Sequence, residues 1–411
     1  MRRIKALLLT LAAVLAAGCS GIDRPFEGTY DQVVIYCALG HNNLSGDLRR
    51  NLDDLSTDVL PGLSYDKAIV AFMHNTGTGG YSGSNPPVLI RLFRGPDGKP
   101  VLDTLKTYSA MSVSASKESL RTVLEDIRTA FPARRYGMVY SSHGTGWLPA
   151  DYDSNTEPGT RAASLASSAA DGPAPAWPPT KALGNQYVGS RSQWVEIQDL
   201  AEALPMQFEY IALDCCLSGC IEVAWELRDR CRWLVVSPAE ILTTGMVYST
   251  LSRDMLSGPD PDLLLYCQQY YDYYNAQSGA LRSGTITLVD CAKLEPLATA
   301  FSAIVDAHRD ALDINKLSPS VQRYFYGSSQ LRFFFDLRDL CAQIGATADE
   351  LARLDAALRD CIPYHAETPS FFDLPLERCC GLSVYIPDPR RTLLNSFYQT
   401  LSWNDRVRLV R

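Results

Sequence analysis

Short apolar, β-rich runs recur through the first part of this chain, each separated from the next by a segment with helical spacing. The runs are residues 32–39 (QVVIYCAL), 67–74 (KAIVAFMH), 136–142 (YGMVYSS), 210–214 (YIALD) and 233–237 (WLVVS). Between them, residues 44–55 have helical spacing, and residues 114–131 put Leu120, Val123, Leu124 and Ile127 on one face, with Ser114 or Ser116 as the cap. Further helices are expected over 196–204 and from Ile221 to Leu227. Parallel neighbours need crossover helices, so the pattern predicts an α/β fold with a mainly parallel central sheet flanked by helices. Residues 87–94 and 100–105, joined by Gly95-Pro96-Asp97-Gly98, read as a hairpin. The second half is a C-terminal α/β extension, with helices at 263–275, 295–311 and 349–359 and strands at 284–289 and 382–386. With 411 residues and 46% hydrophobic content, the chain can bury a large core.

Two segments fall outside this pattern. Residues 149–181 are rich in Ala, Ser, Pro, Gly and Asp without periodicity, and the insert, extended to 185, is expected to be an exposed loop. Residues 1–18 have a basic start (Arg2, Arg3, Lys5) and then a short apolar run, as in a secretory signal. Ala16-Ala17-Gly18-Cys19 resembles a bacterial lipobox with Ala16 where Leu is usual, which predicts lipidation at Cys19, a tether over 19–30 and a domain over 31–411. The expected location is the cell envelope, with the bacterial membrane as a partner through the lipid. Loss of residues 1–18 takes the formal charge from −8 to −11, which argues against a nucleic-acid partner. The chain is expected to be a monomer.

The segment YIALDCCLSGC carries three of the chain's twelve cysteines. A zinc site would need a second pair or histidines, and the chain has no C-x-x-C and only five scattered histidines. Strand alternation puts Asp214 and Cys216 on one side and Cys215 on the other. Packing is the simple reading for Cys215 and Cys220, while Cys379-Cys380 could be core or half of a disulfide. Cys216 sits where a strand gives way to a helix, the position at which α/β sheets place ligands and at which a helix N-terminus lowers a thiol pKa. A nucleophilic Cys needs a base, and His143, followed by Gly144, ends another strand.

At these residues the sequence resembles the clostripain family of cysteine peptidases, within the clan of gingipains, legumains and caspases. The resemblance rests on VYSSHGTGW and FEYIALDCCLSGCIEVAWEL, with support from Asn42-Asn43-Leu44, Phe131-Pro132-Ala133 and GLSVYIP. Cys215 stands where Ala is usual, Ser218 where Met is usual, and His41 where Asp commonly precedes Asn-Asn. The resemblance implies a caspase-like fold and peptide hydrolysis by a His143–Cys216 dyad, with the backbone N–H groups of Gly144 and Cys216 as oxyanion donors. It further implies cleavage after Arg or Lys, with Asp214 in the basic pocket; an Asp capping the next helix is the alternative. Glu240 is a second acid for that pocket. Relatives that cut themselves between His and Cys make Arg161 and Lys181 candidate self-cleavage sites. No cofactor is required; calcium serves clostripain itself, but no acidic loop here has ligand spacing. Competing readings are a catalytically silent surface binding protein and an amidase or transpeptidase using the same dyad.

Overall fold

The computed structural model describes residues 26, 28–76, 85–111, 113–150, 152, 177–181, 186–188, 191–193, 195–325 and 332–411. The expectations for residues 1–18, Cys19 and Arg161, and for most of the insert, lie outside these residues.

The strands in chain order are β1 (Tyr30–Gly40), β2 (Lys67–Asn75), β3 (Val88–Arg94), β4 (Pro100–Thr107), β5 (Ala133–Ser141), β6 (Gln186–Val188), β7 (Arg191–Gln193), β8 (Phe208–Asp214), β9 (Cys231–Val236), β10 (Thr285–Asp290), β11 (Phe335–Asp336) and β12 (Tyr364–Glu367). Nine of them form one sheet in the order β12-β10-β9-β8-β5-β1-β2-β3-β4. Its middle, from β2 to β9, is parallel, and the strand pairings at both edges are antiparallel. The central strands are covered on both faces, so they read as continuous apolar runs: Val33 to Leu39 are all at most 2% exposed.

The helix Lys117–Ala130 starts where the sequence indicates, with Ser116 accepting from Ser119 N–H and Leu120, Val123, Leu124 and Ile127 buried. In the second half the helix Leu263–Asn275 packs against β10 and β12, Ala348–Cys361 packs against β10, and Leu294–Ala307 packs on Ala348–Cys361. The strand expected at 382–386 is shorter and leaves the main sheet: Ser383–Val384 pairs with β11. The edge strand β12 carries no periodic apolar signal, because its side chains are largely half-exposed.

Chain order against sheet order sets the site. β1 feeds β2 on one side, whereas β5, β8 and β9 follow on the other, so the sheet's switch point lies between β1 and β5. Ligands of α/β sheets bind off the carboxyl ends of the strands at such a point. Asn43 follows β1, His143 follows β5 and Cys216 follows β8.

Candidate active site

β5 and β8 pair in register so that Ser141 lies opposite Asp214. Two residues further along each chain stand His143 and Cys216. The turn between them is tight: a Cβ on Gly144 would lie 2.7 Å from Cys215 Cβ and 3.4 Å from Cys216 N. Gly146 has φ +60, and a Cβ there would lie 2.6 Å from Leu217 O, so both glycines are fixed by close approach. Leu217 itself holds φ 58, a conformation that costs a non-glycine residue about 1–2 kcal/mol and directs the chain away directly after Cys216.

The helix after β8 spans Ile221–Leu227, as the sequence indicates, with Cys220 as its N-cap, so Cys216 lies in the turn before it and not at the helix N-terminus. No helix terminus lowers the Cys216 thiol. Burial pushes it well up, and the Glu240 charge adds to that, against the Ile241 N–H that donates to Sγ at 3.0 Å. Nor does Asp214 cap this helix.

His143 Nε2 is 2.7 Å from Asn43 Oδ1. An amide oxygen is an acceptor, so the ring carries its proton on Nε2 and leaves Nδ1 as the basic nitrogen. Nδ1 is buried and has no hydrogen-bond partner among the described residues. Burial holds the His143 pKa down to about 4, and the Lys181 charge lowers it too, so the ring is neutral at pH 7.

Lys181, expected on an exposed loop, is fully buried. Its Nζ is 2.5 Å from Asp214 Oδ2 and donates to Ser141 Oγ at 2.9 Å. Ser141 Oγ and Tyr248 OH each donate to the same carboxylate oxygen at 2.6 Å. This desolvated ion pair persists because its geometry supplies hydrogen bonds on every side but Asp214 Oδ1, which has none. The Lys181 carbonyl accepts from Gly144 N–H at 3.1 Å, and its N–H donates to Ile241 O at 2.8 Å. Upstream, Thr180 bridges Leu242 antiparallel and Thr243 N–H donates to Pro179 O at 3.0 Å. Trp177 stacks on Phe372 with ring centroids 5.1 Å apart. Residues 179–181 thus lie antiparallel to 241–243 through an isolated bridge.

Glu240 is not on the Lys181 ammonium. Its Oε2 accepts from Thr180 Oγ1 at 2.5 Å, one residue earlier, so it stands beside the neighbouring position rather than in the basic pocket. Cys215 donates to Tyr140 O at 3.6 Å and lines a cleft with Leu39, Val195, Ile197 and Leu200 that His143, Gly144 and Cys216 also line. The eleven described cysteines are free thiols, Cys379 and Cys380 included. Among the described residues no cluster of three or more His, Cys, Asp or Glu could hold a metal ion.

Sequence reasoning singled out His143, Gly144, Asp214, Cys216 and Lys181, which the fold brings to one place. It missed Ser141 and Tyr248. Ser141 was legible in principle, two residues before His143 on the Asp214 side of the sheet. Tyr248 reaches the site from a loop without a pattern. Asn43 was noted as part of a motif without a role.

The family model described as the clostripain family matches residues 178–358, a segment that holds Lys181, Asp214, Cys216 and Glu240. A solved inactive zymogen of a C11 protease from Parabacteroides distasonis is 25% identical, with a TM-score of 0.72, over 93% of this chain and 98% of that one. The secreted C11 cysteine protease iotapain from Bacteroides thetaiotaomicron is also 25% identical, with a TM-score of 0.73, over 92% and 99% of the two chains. A structure of a secreted C11 cysteine protease from the same organism with an irreversible peptide inhibitor, at 20% identity and a TM-score of 0.70, shares the fold. No curated protein matches the chain.

Proposed function

We propose that the chain is a cysteine peptidase of the clostripain family, whose model matches residues 178–358, and an exported zymogen that activates itself by cutting after Lys181 and then cleaves peptides after basic residues. One observation carries this reading. Lys181 presents its ammonium to Asp214, its carbonyl oxygen to Gly144 N–H and its N–H to Ile241, as a substrate residue before a scissile bond would.

The chemistry follows from the groups at hand. His143 Nδ1 takes the Cys216 proton, and Sγ attacks the Lys181 carbonyl carbon. The electron pair moves to the carbonyl oxygen, held by the N–H groups of Gly144 and Cys216. His143 returns the proton to the nitrogen of Ala182, and the C–N bond breaks, leaving a thioester. Water, deprotonated by His143, then releases the Lys181 carboxylate and restores the thiol. Asp214 binds and orients the basic side chain, and Glu240 contacts the residue before it. Arg161 is the secondary cut site within the insert.

Before the cut, the site is closed to other substrates. Lys181 fills the basic pocket, and the buried thiol and imidazole are both neutral. The relative described as an inactive zymogen supports this state, and the secreted relative supports export. The N-terminal reading completes the proposal: residues 1–18 as a secretory signal and Cys19 as a lipid anchor to a bacterial membrane, with a monomeric domain over 31–411 and no cofactor. Mass spectrometry of the secreted protein from a bacterial host tests the anchor; an N-terminal acylated Cys19 is expected, and an unmodified terminus elsewhere would contradict it.

The peptidase reading is tested with chain lacking residues 1–18. Cleavage of fluorogenic peptides after Lys or Arg, lost in His143→Ala and in Cys216→Ala, is the expected result. A chain inert on every peptide after trypsin has opened the insert would favour a silent surface binding protein instead.

A further inference from the structure

We propose that the pocket on Asp214 is built to the length of lysine and discriminates against arginine, with Ser141 as a specificity-determining residue. This rests on the reading of Lys181 as a substrate-like residue.

The pocket has a fixed depth. Asp214 ends β8 and Ser141 ends β5, so both stand on the rigid middle of the sheet. Tyr36 and Tyr248, both buried, pack edge to face at 5.0 Å behind them. Gly245, φ +79, roofs the end of the pocket, and a Cβ there would lie 2.7 Å from Asp214 Oδ2 and 2.8 Å from Lys181 Nζ. Tyr274 OH pins that roof by donating to Gly245 O at 2.7 Å.

Lysine fills this depth completely. Nζ reaches Asp214 Oδ2 at 2.5 Å and Ser141 Oγ at 2.9 Å while the Lys181 N–H and carbonyl keep their bonds to Ile241 and Gly144. Arginine carries its guanidinium carbon where lysine carries Nζ, and its terminal nitrogens extend about 1.3 Å further. In the same backbone register those nitrogens would press into Asp214 Oδ2 and Ser141 Oγ, well inside the normal contact distance. Withdrawing the chain to relieve the clash would lengthen the Gly144 and Ile241 bonds that set the scissile carbonyl. Asp214 Oδ1 has no hydrogen-bond partner among the described residues, but Gly245 crowds both carboxylate oxygens, a Cβ there lying 3.1 Å from Oδ1 as well as 2.7 Å from Oδ2. Arginine therefore loses either its side-chain fit or its register.

The test uses the self-processed wild-type chain and peptides that differ only before the scissile bond: ornithine, lysine, homolysine or arginine. Lysine is expected to have the highest kcat/KM, with arginine about tenfold or more below it, a loss typical of a one-atom misfit. Homolysine is expected to fall with arginine. Ser141→Gly removes the Oγ from the floor and should narrow the lysine-to-arginine ratio. In the full chain, Lys181→Arg should slow self-cleavage by a similar factor. Arginine equal to or better than lysine, or homolysine equal to lysine, overturns the proposal while leaving a basic pocket intact. Cleavage of none of the four by a chain active on other peptides overturns the basic pocket, and this proposal with it.

Discussion

The ring Nε2 of His143 lies 2.7 Å from Asn43 Oδ1, a contact between the loops that follow β1 and β5 across the switch point of the sheet. Asn43 therefore fixes the tautomer and turn of the ring and leaves Nδ1 without a hydrogen-bond partner among the described residues. In the proposed mechanism it acts through His143 as a positioning residue. Asn43→Ala is expected to lower kcat about tenfold to a hundredfold with little change in KM. Asn43→Asp puts a carboxylate beside Nε2, which favours the imidazolium and should shift the acid limb of the pH–rate profile upward. Unchanged kcat and an unchanged limb in both variants would contradict this role.

Cys215 and Cys216 are adjacent, yet their thiols have different partners: Cys215 Sγ donates to Tyr140 O, whereas Cys216 Sγ accepts from Ile241 N–H. Cys216→Ala should cost at least about 10⁴-fold in kcat, because the thioester can no longer form. Cys215→Ala removes one sulfur from an apolar cleft and should leave kcat within about threefold. Peptide assays on the two variants decide it; comparable losses in both would contradict the assignment.

Cys216 is fully buried and its thiol is pushed well above its ordinary value in the uncut chain. Iodoacetamide needs an accessible thiolate. Added before self-cleavage, it should leave Cys216 unlabelled; added after, it should label Cys216 and stop activity. Peptide mapping of the carboxamidomethyl group checks this, and equal labelling at both times would contradict a closed zymogen.

Glu222, four residues beyond the turn at Ser218, is buried against Tyr385 N–H and Tyr398 OH, and burial pushes its carboxyl up to about 7. The fold thus binds this proton more tightly than the unfolded chain does, where the pKa is near 4.5. Its contribution to stability is complete below that value and is lost as pH rises toward 7, to a total of about 3 kcal/mol. The uncut Cys216→Ala chain should therefore have a lower Tm at pH 8 than at pH 5, and adding Glu222→Gln should flatten the difference. An equal fall in both chains would contradict this.

The parallel core was legible because its strands are buried on both faces, and that burial writes itself as unbroken apolar runs such as 32–39. The residues of the proposed dyad stood out in the sequence because β5 and β8 are followed by His143-Gly144 and by the Cys215-Cys216 turn. What escaped sequence reading depends on tertiary contact. Tyr248 reaches Asp214 from an irregular loop. Glu240 differs from Asp214 only in which neighbour it meets. The fate of Lys181 could not be read from a polar, aperiodic insert, because its burial comes from the pocket that receives it and not from its own segment. The Cys216 thiol was expected to be lowered by a helix that begins five residues later.

The central claim is that this dyad cuts its own chain after Lys181. The most direct measurement is the intact mass and N-terminal sequence of the purified wild-type chain beside Cys216→Ala. The account predicts a wild-type C-terminal fragment starting at Ala182, an N-terminal fragment ending at Lys181 or, after the secondary cut, at Arg161, and a single Cys216→Ala chain that gives the same fragments only when active enzyme is added. A wild-type chain that stays whole while it hydrolyses peptides, or a Cys216→Ala chain that cuts itself equally well, would contradict it.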